Sequence, residues 1–175
     1  MNVGEVIFAD SANGIGIRVS IFVSGCLNHC KGCFQPQTWD FQYGEPLTSD
    51  MEDLIVKELS RPYYQGLTIL GGEPLELKNQ PDVLKLIERV KKELPYKTIW
   101  MYTGYPYDRD LIPGGCRYTE YTDKILDMID ILVDGRFIEE KKNINLNFRG
   151  SENQRIIEMP ETRKTKKVIL SKLNN

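Results

Sequence analysis

The stretch RVSIFVSGCLNHCKGCF, residues 18–34, joins a run of β-branched and aromatic residues to three closely spaced cysteines. Its first half has the composition of a buried strand and ends at a glycine, so it predicts a β-strand whose exit loop carries the cysteines. Cys26, Cys30 and Cys33 fall within eight residues, whereas the fourth cysteine, Cys116, lies far along the chain. A disulfide network requires pairs, so three thiols on one loop favour a metal centre.

Repeated strand and helix patterns follow the cysteine loop. Apolar runs rich in β-branched residues alternate with segments whose apolar residues recur at helical spacing. The runs predict strands at 67–72, 98–103 and 131–134, and the periodic segments predict helices at 49–59, 81–94 and 121–129. Strands that alternate with helices form parallel sheets, so we predict an α/β fold with mostly parallel strands.

Several local patterns concern the ends of these elements and the segments between them. The sequence SDME predicts a capping box with Ser49 as the N-cap and Glu52 as its partner. Residues 104–118 are rich in turn formers and predict a surface loop. Residues 144–148 alternate like a strand, whereas residues 149–155 are polar and turn-rich.

Four special loops each follow a predicted strand directly. They are the cysteine loop and residues 71–74, 103–105 and 134–136. Parallel strand-helix units connect right-handedly and place their functional loops at the carboxyl ends of the strands, so we expect the four loops to converge on one rim. Four units are too few to close an eight-stranded barrel, and we therefore expect an incomplete, open β/α barrel.

The length and charge of the chain restrict the functions it can have. Its 175 residues fit one compact domain, and we predict a single domain over residues 1–175 with a short polar and basic tail from about residue 149. The 23 basic and 25 acidic residues give a net charge of −2, so we expect no binding to nucleic acid. No apolar run approaches the ~18 residues of a membrane span, so we expect no membrane association.

The two ends of the chain bear on its surroundings. Residues 1–6 lack the basic start and apolar stretch of a secretory signal, so we expect a cytoplasmic protein whose cysteines are reduced. Metal or redox chemistry then explains three cysteines better than disulfide bonds do. Residues 161–172 carry five basic residues and one acidic residue, which is typical of a solvated face and also suits an acidic partner surface.

Thiolates bind both iron–sulfur clusters and zinc. Structural zinc has four protein ligands, so it would have to recruit His29 or Cys116. Three cysteines can instead bind three irons of a four-iron cluster and leave the fourth iron open for a substrate. A fully ligated cluster could only transfer electrons. An enzyme, a zinc module and an electron carrier are thus all consistent with the spacing.

The spacing C-x3-C-x2-C, followed directly by Phe34, resembles that of the radical S-adenosylmethionine (radical SAM) superfamily. The resemblance implies a radical SAM-type open barrel with one [4Fe-4S] cluster on Cys26, Cys30 and Cys33. It also implies that the open iron binds S-adenosyl-L-methionine and donates one electron to it. The products would be methionine and a 5′-deoxyadenosyl radical.

The loop GGEP at residues 71–74 resembles the superfamily motif that contacts the methionine amino group. Its two glycines would let the backbone approach a ligand closely. The segment around the third cysteine resembles the one that contacts the adenine, with the aromatic residue placed after that cysteine rather than before it. The positions that the resemblance assigns to S-adenosylmethionine are Gly32, Cys33, Phe34, Gly71, Gly72, Glu73, Thr103 and Asp134.

The sequence NGIGIR at residues 13–18 resembles the D/N-G-P-G-x-R element of the glycyl-radical-enzyme activases, with Ile15 in place of proline. Among these, residues 100–105, 131–137 and 147–156 resemble the activases of anaerobic ribonucleoside-triphosphate reductase. The resemblance implies that the partner is the large reductase subunit, which loses a glycine Cα hydrogen, and that a small protein such as flavodoxin donates electrons. An activase of another enzyme, such as pyruvate formate-lyase, is the alternative. We expect a wide cleft for the partner, with residues 149–155 and the basic tail as docking candidates.

Overall fold

The computed structural model describes residues 1–174 and contains one seven-stranded sheet. Its strands are β1 (Asn2–Asp10), β2 (Ile17–Val23), β3 (Glu45–Pro46), β4 (Tyr64–Gly71), β5 (Thr98–Tyr102), β6 (Ile131–Asp134) and β7 (Arg155–Glu158). Its helices are α1 (Ser49–Leu59), α2 (Gln80–Glu93), α3 (Tyr107–Asp110), α4 (Thr122–Met128) and α5 (Met159–Thr165), with short 3₁₀ turns at Pro36–Trp39, Glu139–Lys141 and Lys172–Asn174. Asn175, the last residue of the predicted tail, lies outside the described residues.

The sheet has a parallel centre and antiparallel edges. Its strand order is β3-β1-β2-β4-β5-β6-β7. The four neighbours β2, β4, β5 and β6 are parallel, whereas β1 and β7 pair antiparallel with β2 and β6, and β3 pairs antiparallel with β1. The prediction of an α/β fold with a parallel core of four strands is confirmed. The other three strands, β1, β3 and β7, were not predicted.

The two faces of the sheet have different partners. Side chains alternate between the faces of a strand. On one face, residues such as Ile21, Ile69 and Met101 are fully buried and share a core with apolar residues of α1, α2, α4 and α5. On the other face, Trp100 belongs to a smaller cluster with strands β6 and β7, which the C-terminal part of the chain covers. Because both faces of the sheet are covered, the central strands have almost no exposed residues.

Two local predictions are wrong. The N-cap of α1 is Thr48, whose hydroxyl accepts from the Met51 amide at 3.3 Å, and not Ser49. Glu52 does not complete a capping box, because its buried carboxylate turns towards α2, where Lys85 lies at 3.0 Å.

The predicted strand at residues 144–148 is a series of turns. Phe148 has a positive φ of 51°, and its ring packs edge-to-face on Trp100 at 5.3 Å. Ile144 is 88% exposed, so the alternation there does not reflect a buried face. The predicted surface loop at 104–118 contains the short helix α3. None of the helices within residues 1–174 combines the length and the apolar composition needed to cross a bilayer.

Candidate functional site

The cysteine loop begins at the carboxyl end of β2. Gly25 leaves the strand with a positive φ of 95°, and its amide donates to the Thr38 carbonyl at 2.8 Å. The Cys26 amide then donates to the Trp39 carbonyl at 3.2 Å. A side chain on Gly25 would collide with the ring of Phe41. The glycine is therefore required both by its dihedral angle and by the close return of the chain.

The three cysteines of this loop are free thiols. Cys26 is buried and Cys30 and Cys33 are half-buried. A turn joins the last two, since the Cys33 amide donates to the Cys30 carbonyl at 3.1 Å, and the residues within it include Gly32 with a positive φ of 72°. Within residues 1–174, no three His, Cys, Asp or Glu side chains converge to hold a single metal ion. In a four-iron cluster each thiolate binds a different iron, so three separated thiols on one loop fit that group.

Burial makes two of the thiols, Cys26 and Cys30, poor acids without a metal. It raises the pKa of Cys26 to about 12, with the nearby carboxylate of Glu73 adding to the effect. Burial also raises the pKa of Cys30. Coordinated thiols are deprotonated, because the positive charge of the metal stabilises the thiolate. Iron would thus supply the charge that the loop itself lacks.

The two candidates for a fourth ligand have different surroundings. The ring of His29 stacks on Trp39 with 4.6 Å between ring centroids and an interplanar angle of 26°. Cys116 is an exposed free thiol after α3 and lines a cleft together with Asn28 and Gly104.

The glycine pair after β4 lies directly against the cysteine loop. Gly71 has a positive φ of 110°, and the Gly72 amide donates to the Val23 carbonyl at 2.7 Å. A Cβ on Gly72 would lie 2.8 Å from the carbonyl oxygens of both Gly25 and Thr38. Gly72 is therefore required by the close approach of two backbones.

Glu73 connects three of the four loops predicted to converge. Its carboxylate is 1% exposed and accepts from the Asn28 side chain at 3.1 Å, the Gly104 amide at 2.7 Å and the Leu75 amide at 3.0 Å. A hydrogen bond from the Thr103 hydroxyl adds to these. Burial raises the pKa of Glu73 to about 7, although its hydrogen bonds oppose this shift. Donors from the protein itself therefore surround the buried carboxylate of Glu73.

Asp134, at the end of β6, is held by other protein groups. It is 1% exposed, accepts from the Tyr107 amide at 2.7 Å and forms an ion pair with Arg155 at 2.6 Å. Arg155 also pairs with Asp108 at 2.9 Å. The contacts of Asp134 therefore connect β6, β7 and α3. The loop at residues 134–136, the fourth of the predicted rim loops, also contacts the cysteine loop. The Arg136 guanidinium donates to Asn28 Oδ1 at 3.1 Å.

The outer part of the cysteine loop is open to solvent. Phe34 is 84% exposed and Gly32 is also exposed. Lys31 forms ion pairs with the 3₁₀ turn at residues 139–141, reaching Glu139 at 3.0 Å. A Cβ on Gly32 would meet the carboxylate of Glu139 at 2.8 Å. The backbone of Gly32 therefore lies close to the turn at residues 139–141, while the ring of Phe34 is left in solvent.

A cleft of about 640 Å³ lies beside these loops. Asn28, Gly104 and Arg136 from the rim contribute to its wall, together with Cys116 and Asn153. The structure thus places the predicted residues Gly72, Glu73, Thr103 and Asp134 around one rim, while Phe34 projects from its outer edge.

Three buried polar residues of the site were missed in the sequence. Asn28 bridges Glu73 and Arg136 from within the cysteine loop. Asn79 donates to the carbonyls of Ser24 and Glu73, both at 3.0 Å. Glu76 accepts from the Leu27 amide. Their positions, between the cysteines or just after the GGEP loop, are the one feature from which they could have been predicted. The same segments also contain exposed polar residues, from which the sequence does not distinguish them.

Comparison with known proteins gives a consistent set of matches. A family model described as a 4Fe-4S single cluster domain matches residues 12–157, which include the cysteine loop and the rest of the rim. The anaerobic ribonucleoside-triphosphate reductase-activating protein of Escherichia coli (strain K12) is 40% identical over 156 residues, covering 88% of this chain and 96% of that protein. The protein of the same name from Vibrio cholerae is 40% identical with the same coverage. That of Enterobacteria phage T4 is 35% identical over 89% of this chain and 93% of its own.

Proposed function

Because this chain belongs to the family of anaerobic ribonucleoside-triphosphate reductase-activating proteins and contains a 4Fe-4S single cluster domain, we propose that it activates the large subunit of such a reductase. The reaction is the removal of a hydrogen atom from a glycine Cα of that subunit, with S-adenosyl-L-methionine as the source of the radical. The observation that carries this proposal is the placement of three free thiols on one loop, against a second loop of Gly72 and Glu73.

The ligands of the cluster are Cys26, Cys30 and Cys33. When bound and reduced, a [4Fe-4S] cluster with an open iron supplies one electron to the sulfonium of S-adenosylmethionine, so that the carbon–sulfur bond breaks to give methionine and a 5′-deoxyadenosyl radical. That radical takes the glycine hydrogen and becomes 5′-deoxyadenosine. A small protein such as flavodoxin would supply the electron that the bound cluster needs.

The protein residues bind and orient the cofactor. We assign S-adenosylmethionine to the rim formed by Gly32, Cys33, Phe34, Gly71, Gly72, Glu73, Thr103 and Asp134. Gly32 and Phe34 are exposed and can meet the adenine directly. Glu73 and Asp134 contribute by holding the loops in place, since hydrogen bonds from the protein already occupy their carboxylates.

The sheet suits the open barrel of the radical SAM fold, with the whole chain as a single domain. Four adjacent parallel strands each lead into one rim loop, and the apolar residues of the larger helices pack into one core on one face. The cleft beside Asn28 and Gly104 gives the partner's glycine-containing segment a route to the rim.

Two of the docking candidates have contacts within the chain. Arg149 donates to Asn174, and Arg155 pairs with Asp108 and Asp134. The exposed Lys166 and Lys167 of the basic tail are the better candidates for contact with an acidic partner surface.

The first test is anaerobic. The protein is reconstituted with iron and sulfide and reduced with dithionite, and 5′-deoxyadenosine is quantified after addition of S-adenosylmethionine. Its formation supports the radical reaction, and an electron paramagnetic resonance (EPR) signal of a glycyl radical on added reductase identifies the partner. A signal on pyruvate formate-lyase alone would identify a different activase. No cleavage by an intact, reduced cluster would favour an electron carrier, and stoichiometric zinc in place of iron would favour a zinc module.

A further inference from the structure

Glu76 is a buried carboxylate in the connection between β4 and α2. It is 2% exposed, and its Oε1 atom accepts from the Leu27 amide at 2.9 Å and from the Tyr105 hydroxyl at 2.8 Å. Its Oε2 atom lies 3.3 Å from Nε of Arg117. The guanidinium of Arg117 in turn stacks over the Tyr105 ring at 4.4 Å. One carboxylate thus joins the cysteine loop to both ends of the segment at residues 105–117.

The hydrogen bond between the Leu27 amide and Glu76 lies next to the first cysteine. Leu27 directly follows Cys26, and its side chain is 57% exposed, so the residue is not fixed by apolar packing. Its amide has a carboxylate as its acceptor, 49 positions away in the sequence. Between the first two cysteines, Asn28 and His29 are also held through side chains. The shape of this half of the loop therefore depends on a few side-chain anchors.

A role in starting α2 does not explain the direction of the carboxylate. Helix-starting acids accept from amides of the first turn of their own helix. The Glu76 backbone carbonyl does accept from the Gln80 amide, at 3.1 Å, but its carboxylate turns away to Leu27 and Tyr105. Burying a carboxylate is unfavourable unless several donors compensate it. The donors here come from the cysteine loop and the segment at 105–117, so the buried charge holds these two together.

We propose that Glu76 is a positioning residue for the iron–sulfur site, which fixes the peptide between Cys26 and Leu27 and so orients the first cysteine. This inference rests on the proposed function only in taking Cys26 as a ligand. Groups that orient the ligands of a metal commonly change metal affinity by roughly 10- to 100-fold when they are removed. The hydrogen bond joins two groups of the chain itself, so it can be tested in the protein without iron.

The direct test is amide hydrogen exchange at Leu27 in the full-length, iron-free protein. We expect Glu76→Ala to accelerate this exchange about 10-fold or more, because the amide loses its acceptor. Glu76→Gln keeps an acceptor oxygen and should retain protection close to that of the wild type. Unchanged exchange in Glu76→Ala, or equal acceleration in both variants, would overturn the assignment.

The second test measures the cluster after anaerobic reconstitution. We expect Glu76→Ala to lose iron to a chelator roughly 10-fold faster than the wild type and to change the EPR spectrum of the reduced cluster, with Glu76→Gln restoring both. Glu52→Ala is the matched control, because Glu52 is also buried and ion-paired but lies on α1 facing α2. Equal iron loss in Glu52→Ala and Glu76→Ala would show a general loss of stability and overturn the proposal. A wild-type protein that binds no cluster would instead contradict the proposed function, while the exchange measurement at Leu27 would stand.

Discussion

Asn28 and Glu73 lie 45 positions apart in the chain and are joined by a hydrogen bond of 3.1 Å between Nδ2 and Oε2. Asn28 belongs to the cysteine loop, and Glu73 follows the glycine pair after β4. The side-chain oxygen Oδ1 of Asn28 also accepts from Arg136. This one side chain therefore connects the cysteine loop to the loops at residues 71–74 and 134–136. The convergence of the rim therefore depends on buried polar contacts as much as on the sheet.

Asn28→Ala should destabilise the protein. The substitution leaves the buried Glu73 carboxylate with fewer donors, and an unsatisfied buried polar group costs about 1–3 kcal/mol. We expect a decrease of this size in the free energy of unfolding by urea. Asn143→Ala is the control, since Asn143 is half-buried and its side-chain bonds to Glu152 and to the Asn145 amide are exposed, so their loss should cost less than about 0.5 kcal/mol. A cost for Asn28→Ala no larger than for the control would contradict the connecting role.

Alanine at Cys26, Cys30 or Cys33 should each abolish the cluster, because a missing thiolate leaves one iron unprotected. We expect Cys116→Ala to retain about four irons per chain and to form 5′-deoxyadenosine at the wild-type rate. Iron and sulfide analysis after anaerobic reconstitution distinguishes the two groups of variants. Loss of the cluster in Cys116→Ala would show that the three-ligand assignment is incorrect.

Gly72→Ala should displace the cysteine loop. The new Cβ would lie 2.8 Å from the carbonyl oxygens of Gly25 in that loop and of Thr38 in the 3₁₀ turn after it, and such overpacking costs about 1–3 kcal/mol. We expect a lower free energy of unfolding together with faster loss of iron to a chelator. Gly114→Ala is the control, because its positive φ of 88° makes alanine strained by about 1–2 kcal/mol while its Cβ would meet no atom within 4 Å. If both variants retain iron equally well, Gly72 has no specific role beside the loop.

The ion pair between Asp108 and Arg155 should make stability depend on acidity. Hydrogen bonds from Arg155 hold the pKa of Asp108 below its ordinary value of 3.8. A carboxyl whose pKa is lower in the folded state stabilises that state above the unfolded pKa, and the contribution is lost as the pH falls through the folded pKa. The difference in unfolding free energy between wild type and Asp108→Asn should therefore be constant at neutral pH and decrease below about pH 4. A difference that does not change with pH would rule out this contribution.

The parallel centre of the fold could be predicted because each of its strands is an apolar run followed by a glycine or a turn. Strand β1 escaped prediction because Gly4 and Glu5 interrupt its apolar pattern, and its pairing with β2 contains two register shifts. Strand β7 has only four residues and lies within a polar tail. It is a strand because it pairs with β6 and because Arg155 contacts Asp134. A local sequence pattern contains neither of these contacts.

For the candidate site, the positions of the loops could be predicted, but the contacts between them could not. Spacing alone placed the three cysteines on one loop and the loop of Gly72 and Glu73 at the end of the next strand. Spacing could not show that Glu73 and Asp134 are occupied by protein donors, because Asn28 and Arg155 reach them from distant positions. The role of Glu76 was hidden for the same reason, since its partner Leu27 belongs to another loop.

The cysteine loop is fixed unevenly along its length. At its inner end Cys26 is buried and its neighbour Leu27 is bonded to a buried carboxylate. At its outer end, Lys31 is held by ion pairs with exposed glutamates, which contribute little and weaken in salt. The outer part of the loop is therefore held by weaker contacts than its inner end.

This gradient predicts an order of reactivity among the three thiols. Cys26 is buried next to an anchored amide, whereas Cys30 and Cys33 lie on the half-buried outer part of the loop. Alkylation of the iron-free protein should accordingly label Cys30 and Cys33 before Cys26, and added salt should accelerate the labelling of the outer pair alone. Oxidants should reach the thiols in the same order, from the outer part of the loop inwards.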